Sequence, residues 1–334
     1  MILDFSLEEM TRFLVDKVGL KAFKARMVFE WIYQKAILDY DQMTSLHQSE
    51  RDLLKEKAPF PTWTITEHPT KDSNKLTAIT EDGSCIELVI LKSKAAPTLC
   101  VSSQVGCALK CAFCETGILG AARNLTTSEI IYQVLLAEKK TGGIGNIVLM
   151  GMGEPLLNLD NVLKAISILH EPSGLNISPR RITLSTAGIV PGIETLLAAN
   201  LGINLAISLN APTDELRETL MPINKTYPIA SLIRAAKSYQ EKSGRRVTVE
   251  YVLLREINDT PQIIRSLIAL LRRTGFHVNL IPYNPTSGDY KRPTLERINW
   301  VQGQLEASHI NATIRQSKGI DVSGACGMLS SVIK

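Results

Sequence analysis

Thr98-Leu-Cys-Val-Ser-Ser-Gln-Val-Gly-Cys-Ala-Leu-Lys-Cys-Ala-Phe-Cys114 begins as an apolar strand and ends in three cysteines, Cys107, Cys111 and Cys114, spaced Cys-x3-Cys-x2-Cys. Thiolates at this spacing bind three irons of a [4Fe-4S] cluster and leave the fourth iron open, whereas an electron-transfer cluster takes four cysteines. The spacing of Cys100 and Cys326 makes neither a natural fourth ligand, so the open iron calls for a small molecule. A zinc site is the competing reading. Zinc usually wants four protein ligands in paired spacings, and the histidines, at 47, 68, 170, 277 and 309, all lie elsewhere. Phe113, between the last two ligands, fits a shield or a stacking partner for what binds there.

Working outward from this stretch, strand-like and helix-like segments alternate to the end of the chain. Strands are expected at 98–103, 146–152, 181–186, 204–210, 246–254, 277–283 and 312–316. Helical periodicity falls between them at 128–139, 159–169, 192–199, 229–242, 261–273 and 294–308. Such alternation predicts a parallel sheet of βα units, an α/β barrel that is complete or nearly so. Ligand-binding residues of such a barrel lie beyond the carboxyl ends of its strands. Ser102-Ser103, Gly151-Met-Gly-Glu-Pro155, Ser185-Thr186, Ser208-Leu-Asn210 and Tyr283-Asn-Pro285 end the expected strands and should converge with the cysteine loop.

Before position 98 the pattern differs. Helices are expected at 7–18, 22–36 and 46–57, then three β segments at 62–66, 76–80 and 85–90 around the Asp82-Gly83 turn. We therefore expect a helical accessory domain at 1–60, a β-ribbon connector at 61–92 and the barrel at 93–334.

Composition bounds the setting. Of 334 residues, 45% are hydrophobic and 21% charged, which excludes a disordered or fibrous chain. The net charge of +4, from 37 basic and 33 acidic residues, permits a polyanionic partner without requiring one. Three of six cysteines crowd into eight positions, which reads as metal ligation in a reducing compartment and not as a secreted disulfide framework. With no basic-then-apolar leader and no apolar run of membrane length, a cytoplasmic, non-membrane protein is expected.

Glycines at 151 and 153 let a ligand approach the backbone. Cys326, in Ser323-Gly-Ala-Cys-Gly-Met328, has small neighbours that leave its sulfur accessible as a nucleophile or methyl acceptor. Free cysteines are most often buried hydrophobes, and Cys85 is read that way.

The strings Leu99-Cys-Val-Ser-Ser-Gln-Val-Gly-Cys107, Cys111-x-x-Cys114, Arg123-Asn-Leu-Thr126, Gly151-Met-Gly-Glu-Pro-Leu-Leu-Asn158, Thr183-Leu-Ser-Thr186 and Ala325-Cys-Gly327 resemble the radical S-adenosylmethionine (SAM) adenine methyltransferases that act on 23S ribosomal RNA and transfer RNA. Phe23-Lys-Ala-Arg26 and Trp31-Ile-Tyr33 extend the likeness to the N-terminus. The resemblance implies an incomplete parallel (β/α) barrel of radical SAM type, with SAM chelating the open iron. It implies a ping-pong reaction using two SAM per turnover, in which Cys326 is methylated and then carries the carbon to C2 of adenine as a radical. Cys100 matches the cysteine that resolves the protein–RNA adduct through a disulfide, and Glu87 the proton acceptor; by periodicity alone Glu87 is an exposed strand residue. Gly153, Glu154, Ser185, Ser208, Leu209, Asn210 and Asn284 would line the SAM pocket, Glu154 receiving the SAM ammonium. Asn210 stands where the family commonly has histidine, and Glu115 where it has a small residue.

The accessory domain carries Lys17, Lys21, Lys24 and Arg26 beside Phe23, Phe29, Trp31 and Tyr33. Basic residues interleaved with aromatics suit RNA phosphates and bases, although such aromatics are more often core. The expected partners are 23S ribosomal RNA, transfer RNA and a flavodoxin- or ferredoxin-like electron donor, with the chain a monomer. Methylation at C8, a non-methylating radical SAM activase or maturase, and a non-enzymatic iron–sulfur RNA-binding or redox-sensing protein are the alternatives; the second has no use for Cys326, and SAM cleavage by the dithionite-reduced protein separates the third.

Overall fold

Ser6 accepts the amide of Glu9, and the Glu9 carboxylate accepts the amide of Ser6 in return, a reciprocal cap that starts helix α1 (Leu7–Phe13). In this computed structural model, which describes residues 1–330, the helix expected over 7–18 is not continuous. Leu14–Val18 widens into a π-helical turn, which Gly19 ends at φ +79°. Helices α2 (Ala22–Tyr33) and α3 (Gln48–Lys57) complete the accessory unit. Met10, Leu14, Phe29, Ile32, Tyr33 and Leu54 are buried among them. The first residues seal the unit onto the barrel: Ile2 and Leu3 are fully buried, and Asp4 Oδ1 accepts the amide of Ser128 at 2.8 Å.

Strands β1 (Thr64–Pro69), β2 (Ser73–Ile79) and β3 (Cys85–Leu91) form an antiparallel ribbon. At its turn Asp82 Oδ1 accepts both the Ser84 amide and the Thr80 hydroxyl, and Gly83 takes φ +78°. The ribbon joins the barrel sheet itself, because β3 pairs antiparallel with β4 (Thr98–Cys100), Val89 opposite Cys100. After β4 the chain leaves the main sheet. Strand β5 (Gln104–Gly106), helix α4 (Glu115–Leu119) and strand β6 (Ala121–Asn124) frame the cysteine loop as a small side ribbon.

Regular βα units follow: α5 (Thr127–Thr141), β7 (Asn146–Leu149), α6 (Leu159–His170), β8 (Ile182–Thr186), α7 (Val190–Ala198), β9 (Asn204–Ser208), α8 (Asp214–Leu220), α9 (Ile229–Ser243), β10 (Val247–Leu253), α10 (Pro261–Leu271), β11 (His277–Pro282), α11 (Leu295–Ala307) and β12 (Ala312–Ile314). The main sheet runs β1-β2-β3-β4-β7-β8-β9-β10-β11-β12, and every pairing from β4 to β12 is parallel. Among the described residues β12 does not pair back to β4, so the (β/α) barrel is incomplete, as expected. Leu149, Leu184, Leu205, Ile207, Val249, Tyr251 and Leu280 are buried in one core. Each contributes about 1.5–3 kcal/mol by leaving water. No helix among the described residues is long and apolar enough to cross a membrane.

Most of the parallel strands stop short of the expected ends. The reason is local. Ser102 exchanges hydrogen bonds with the Gln133 amide instead of a strand neighbour, and its Oγ accepts the amide of Met152. The residues that leave the ladder are the ones that build the site.

Candidate active site

Gly106 sits at φ +74°, where a Cβ would fall 1.8 Å from the Gly120 carbonyl oxygen, so only glycine lets β5 and β6 meet here. The closure brings the amide of Cys107 to that oxygen at 2.8 Å. Farther along the loop, the Cys114 amide donates to Cys111 O, and the Ala112 amide donates to Leu220 O at the end of α8. Thus anchored, Cys107, Cys111 and Cys114 line one cavity of about 160 Å³ at the carboxyl ends of the parallel strands. No three histidine, cysteine, aspartate or glutamate side chains among the described residues converge on a single metal-ion position. The thiols are spread around a cavity wall, as ligands to separate irons require. Burial, then the other thiols, holds the Cys111 thiol well above its ordinary value. Cys107 is pushed up to about 11, mainly by burial.

Opposite the loop, the strand ends supply the rest of the wall. Gly151 and Gly153 pack where side chains cannot: a Cβ on Gly151 would lie 2.6 Å from Val101 O, and one on Gly153 2.6 Å from Gln104 Cβ. Glu154 is buried, accepting the amides of Ala187 at 2.7 Å and Leu156 at 3.1 Å. Burial outweighs those bonds and raises its carboxyl to about 7. Ser185, Ser208, Asn210 and Asn284 line the same cavity. Leu209 does not: its side chain is fully buried in the barrel core. Leu209, one residue past the end of β9, lies between Ser208 and Asn210 with its side chain in the core. Asn210, at φ +58°, has its amide oxygen taken by the Val252 amide and its nitrogen by Met221 Sδ.

Cys326 lies on this wall and also on that of a second cavity of about 290 Å³, shared with Cys100, Lys92 and Lys318. Its segment is tied to the cysteine loop: Glu115 N donates to Gly327 O at 2.8 Å, Thr116 Oγ1 to Leu329 O at 2.6 Å, and Asn284 Nδ2 to Cys326 O at 3.1 Å. Cys100, Cys107, Cys111, Cys114 and Cys326 are free thiols. Burial, then the charge of Cys326, raises Cys100 to about 12. Glu87 is not the exposed residue its periodicity predicts. It is buried, pairs with Lys75 at 2.9 Å and accepts the amide of Ser330 at 3.0 Å, and it lines neither cavity. Glu115 does not enter the cavity wall either; its carboxylate accepts the Ser287 amide and hydroxyl.

Two arginines escape the sequence pattern. Arg315 lines both cavities, and the charge of Cys326 is the first of the effects that hold its guanidinium protonated. Arg217, on α8, is fully buried beneath the site. Only the strand order after β11 could have hinted at Arg315; α8 itself was not anticipated. In the accessory unit, Phe29 and Tyr33 are core, Lys24 pairs with Glu50 and Lys35 stacks on Trp31, which leaves Phe23 exposed beside the exposed Lys17 and Lys21.

The donor set fits a [4Fe-4S] cluster with SAM. Three thiols share one wall, and two lining residues, Asn284 and Glu250, each keep a buried side-chain oxygen without a partner. Comparison with known proteins agrees. Residues 101–268 match the radical SAM superfamily, and residues 1–59 match the ribosomal RNA large subunit methyltransferase N-terminal domain. The chain is 45% identical to the dual-specificity RNA methyltransferase RlmN of Syntrophotalea carbinolica, over 98% of this chain and 88% of that one. It is 42% identical to the probable dual-specificity RNA methyltransferase RlmN of Symbiobacterium thermophilum, over 97% and 89%. Its fold superposes on a radical SAM methyltransferase from Sphaerobacter thermophilus with TM-score 0.96 and 42% identity, over 99% of each chain. SuiB of Streptococcus suis, at 16% identity and TM-score 0.52, shares the fold alone.

Proposed function

This chain belongs to the radical SAM family of dual-specificity RNA methyltransferases, and from that premise we propose that it methylates C2 of an adenine in 23S ribosomal RNA and in transfer RNA, with Cys326 as the carbon carrier. The observation that carries the proposal is the position of Cys326 on the wall common to both cavities, between the three cluster thiols and Cys100. A cysteine there has access to a methyl donor on one side and to a base on the other.

Cys107, Cys111 and Cys114 would hold the [4Fe-4S] cluster, and Gly153, Glu154, Ser185, Ser208, Asn210 and Asn284 would surround SAM. When bound, these groups supply a methyl cation equivalent and, after one-electron reduction of a second SAM, a hydrogen-abstracting 5′-deoxyadenosyl radical. The Cys326 thiolate would take the methyl group, its Sγ–CH3 bond forming as the donor's sulfonium–CH3 bond breaks and S-adenosylhomocysteine leaves. The Cys326 S-methyl carbon gives up a hydrogen atom and adds to adenine C2. The cluster that Cys107, Cys111 and Cys114 would hold would supply the one-electron acceptor for the adduct, and Glu87, which lines neither cavity while bound to Ser330, would accept the C2 proton after giving up that bond. Cys100 Sγ then attacks Cys326 Sγ, forming the disulfide while the freed methylene carbon takes a proton and leaves as the new methyl group. Arg315 sets a positive charge beside the sulfur throughout. Phe23, Lys17 and Lys21 of the 1–60 unit would contact RNA, a small acidic redox protein would supply electrons, and the monomer would work in the cytosol.

The test is nucleoside mass analysis of 23S ribosomal RNA and transfer RNA incubated with the reconstituted protein, SAM and dithionite. Formation of 2-methyladenosine in both RNAs is expected. Formation of 8-methyladenosine overturns the position of attack, and SAM cleavage without either nucleoside overturns methyl transfer.

A further inference from the structure

Arg217 is fully buried, and none of the hydrogen-bond acceptors described for it is a carboxylate. Its guanidinium is fixed by neutral acceptors alone: Nε donates to Leu209 O at 3.0 Å, Nη1 to Asn224 Oδ1 at 2.9 Å, and Nη2 to Ala187 O at 2.6 Å and Ser208 O at 2.9 Å. Asp214 meets it at one remove, through Asn224 Nδ2, which donates to Asp214 Oδ1 at 2.9 Å, and a buried cation without a direct ion-pair partner is costly. The surroundings point to a second anion. Helix α8, which carries Arg217, ends at Leu220, whose carbonyl accepts the amide of Ala112, the residue after Cys111. Cys111 and Met221 pack in the same small apolar cluster. Ala187 and Ser208, whose carbonyls accept from Arg217 Nη2, line the cavity together with the three thiols.

We propose that Arg217 is the counter-ion of the cluster, a positioning residue whose charge favours the reduced state. Three thiolates and the sulfide-bridged irons make an anionic assembly, and one-electron reduction adds a further negative charge. A fixed cation in a dry site stabilises that extra charge more than the oxidised form, and net charge is one of the levers on such a cluster's potential. Its four hydrogen bonds hold the guanidinium at the ends of β8 and β9, so it cannot swing away as the charge changes. The inference rests on the cluster site and not on the RNA reaction, so either can fail without the other.

The test is an EPR-monitored redox titration of the reconstituted protein, with iron content measured alongside. Arg217→Gln is expected to lower the reduced-to-oxidised ratio at fixed potential at least tenfold, a downward shift of about 59 mV for one electron, while Arg217→Lys stays near the parent. Asn224→Asp, which sets a carboxylate against Nη1 and keeps the guanidinium, should shift the potential the same way. Equal shifts in the Gln and Lys variants, or an unchanged potential in Asn224→Asp, overturn the proposal; the second holds even if the Arg217 variants fail to retain iron.

Discussion

Asn284 Nδ2 donates to the carbonyl oxygen of Cys326 at 3.1 Å, while Asn284 Oδ1 is buried with no partner. One side chain at the end of β11 therefore both restrains the sulfur-bearing segment and keeps an acceptor open toward the cavity. Asn284→Ala removes both. The loss of about one net hydrogen bond, on the order of 1 kcal/mol, should raise the SAM concentration needed for methylation of Cys326 about fivefold. Mass measurement of the peptide containing residue 326 reads it directly, and an unchanged dependence on SAM would show that Asn284 plays no such part.

Cys326→Ala should abolish methyl transfer while leaving iron content intact. Cys100→Ala removes the thiol proposed to resolve the adduct, so a covalent protein–RNA species should accumulate, visible as a slow band on a denaturing gel and lost on ribonuclease treatment. Normal turnover by Cys100→Ala would assign adduct release elsewhere.

Glu87→Gln leaves the Lys75 ammonium buried without its partner, the pair being 10% and 1% exposed. Removing one member of such a pair costs about 3–5 kcal/mol. The urea midpoint should fall accordingly, and Lys75→Met combined with Glu87→Gln should recover much of it. Methylation should not recover, because the proton acceptance proposed for Glu87 needs the carboxylate.

Glu154 makes stability fall as pH rises. Its folded carboxyl titrates at about 7 against an ordinary value of 4.5, so between these limits the folded chain keeps a proton that the unfolded chain has released. The stabilisation is complete below pH 4.5 and lost as pH rises through 7, about 3 kcal/mol at roughly 1.4 kcal/mol per unit. Urea midpoints of the cluster-free protein should drop between pH 5 and 8, and Glu154→Gln should flatten the drop.

Gly153→Ala should be poorly tolerated. The backbone is at φ +99°, and the new Cβ would meet Gln104 Cβ at 2.6 Å. Strain of this kind costs about 1–3 kcal/mol. Since Gln104 Oε1 accepts the amide of Glu154 at 2.8 Å, loss of SAM binding, measured by calorimetry, should exceed the loss of thermal stability.

The barrel was legible because βα alternation is a local pattern, and the cysteine loop because its spacing is chemistry written in order. Cys326 was visible through its small neighbours. What the sequence hid depends on which way a side chain points after packing. Leu209 was placed at the pocket by resemblance, and just past the end of β9 its side chain packs into the core. Glu87 looked exposed between Ile86 and Leu88 because nothing local reveals that Lys75 lies across the ribbon. Arg217 sits in Asp-Glu-Leu-Arg-Glu218, which reads as a solvated helix face. Only the tertiary placement of α8 under the cluster loop buries it.

The unpaired edge of β12 has a consequence for traffic. A nucleotide joined on both sides to a polymer cannot be threaded down a closed cylinder; it needs a slot. Because the antiparallel ribbon occupies the outer edge of β4, the cylinder never seals, and the gap is bridged by an irregular tail instead of a strand. A tail can be lifted and relaid without breaking a ladder of strand bonds, which suits the role proposed for Cys326.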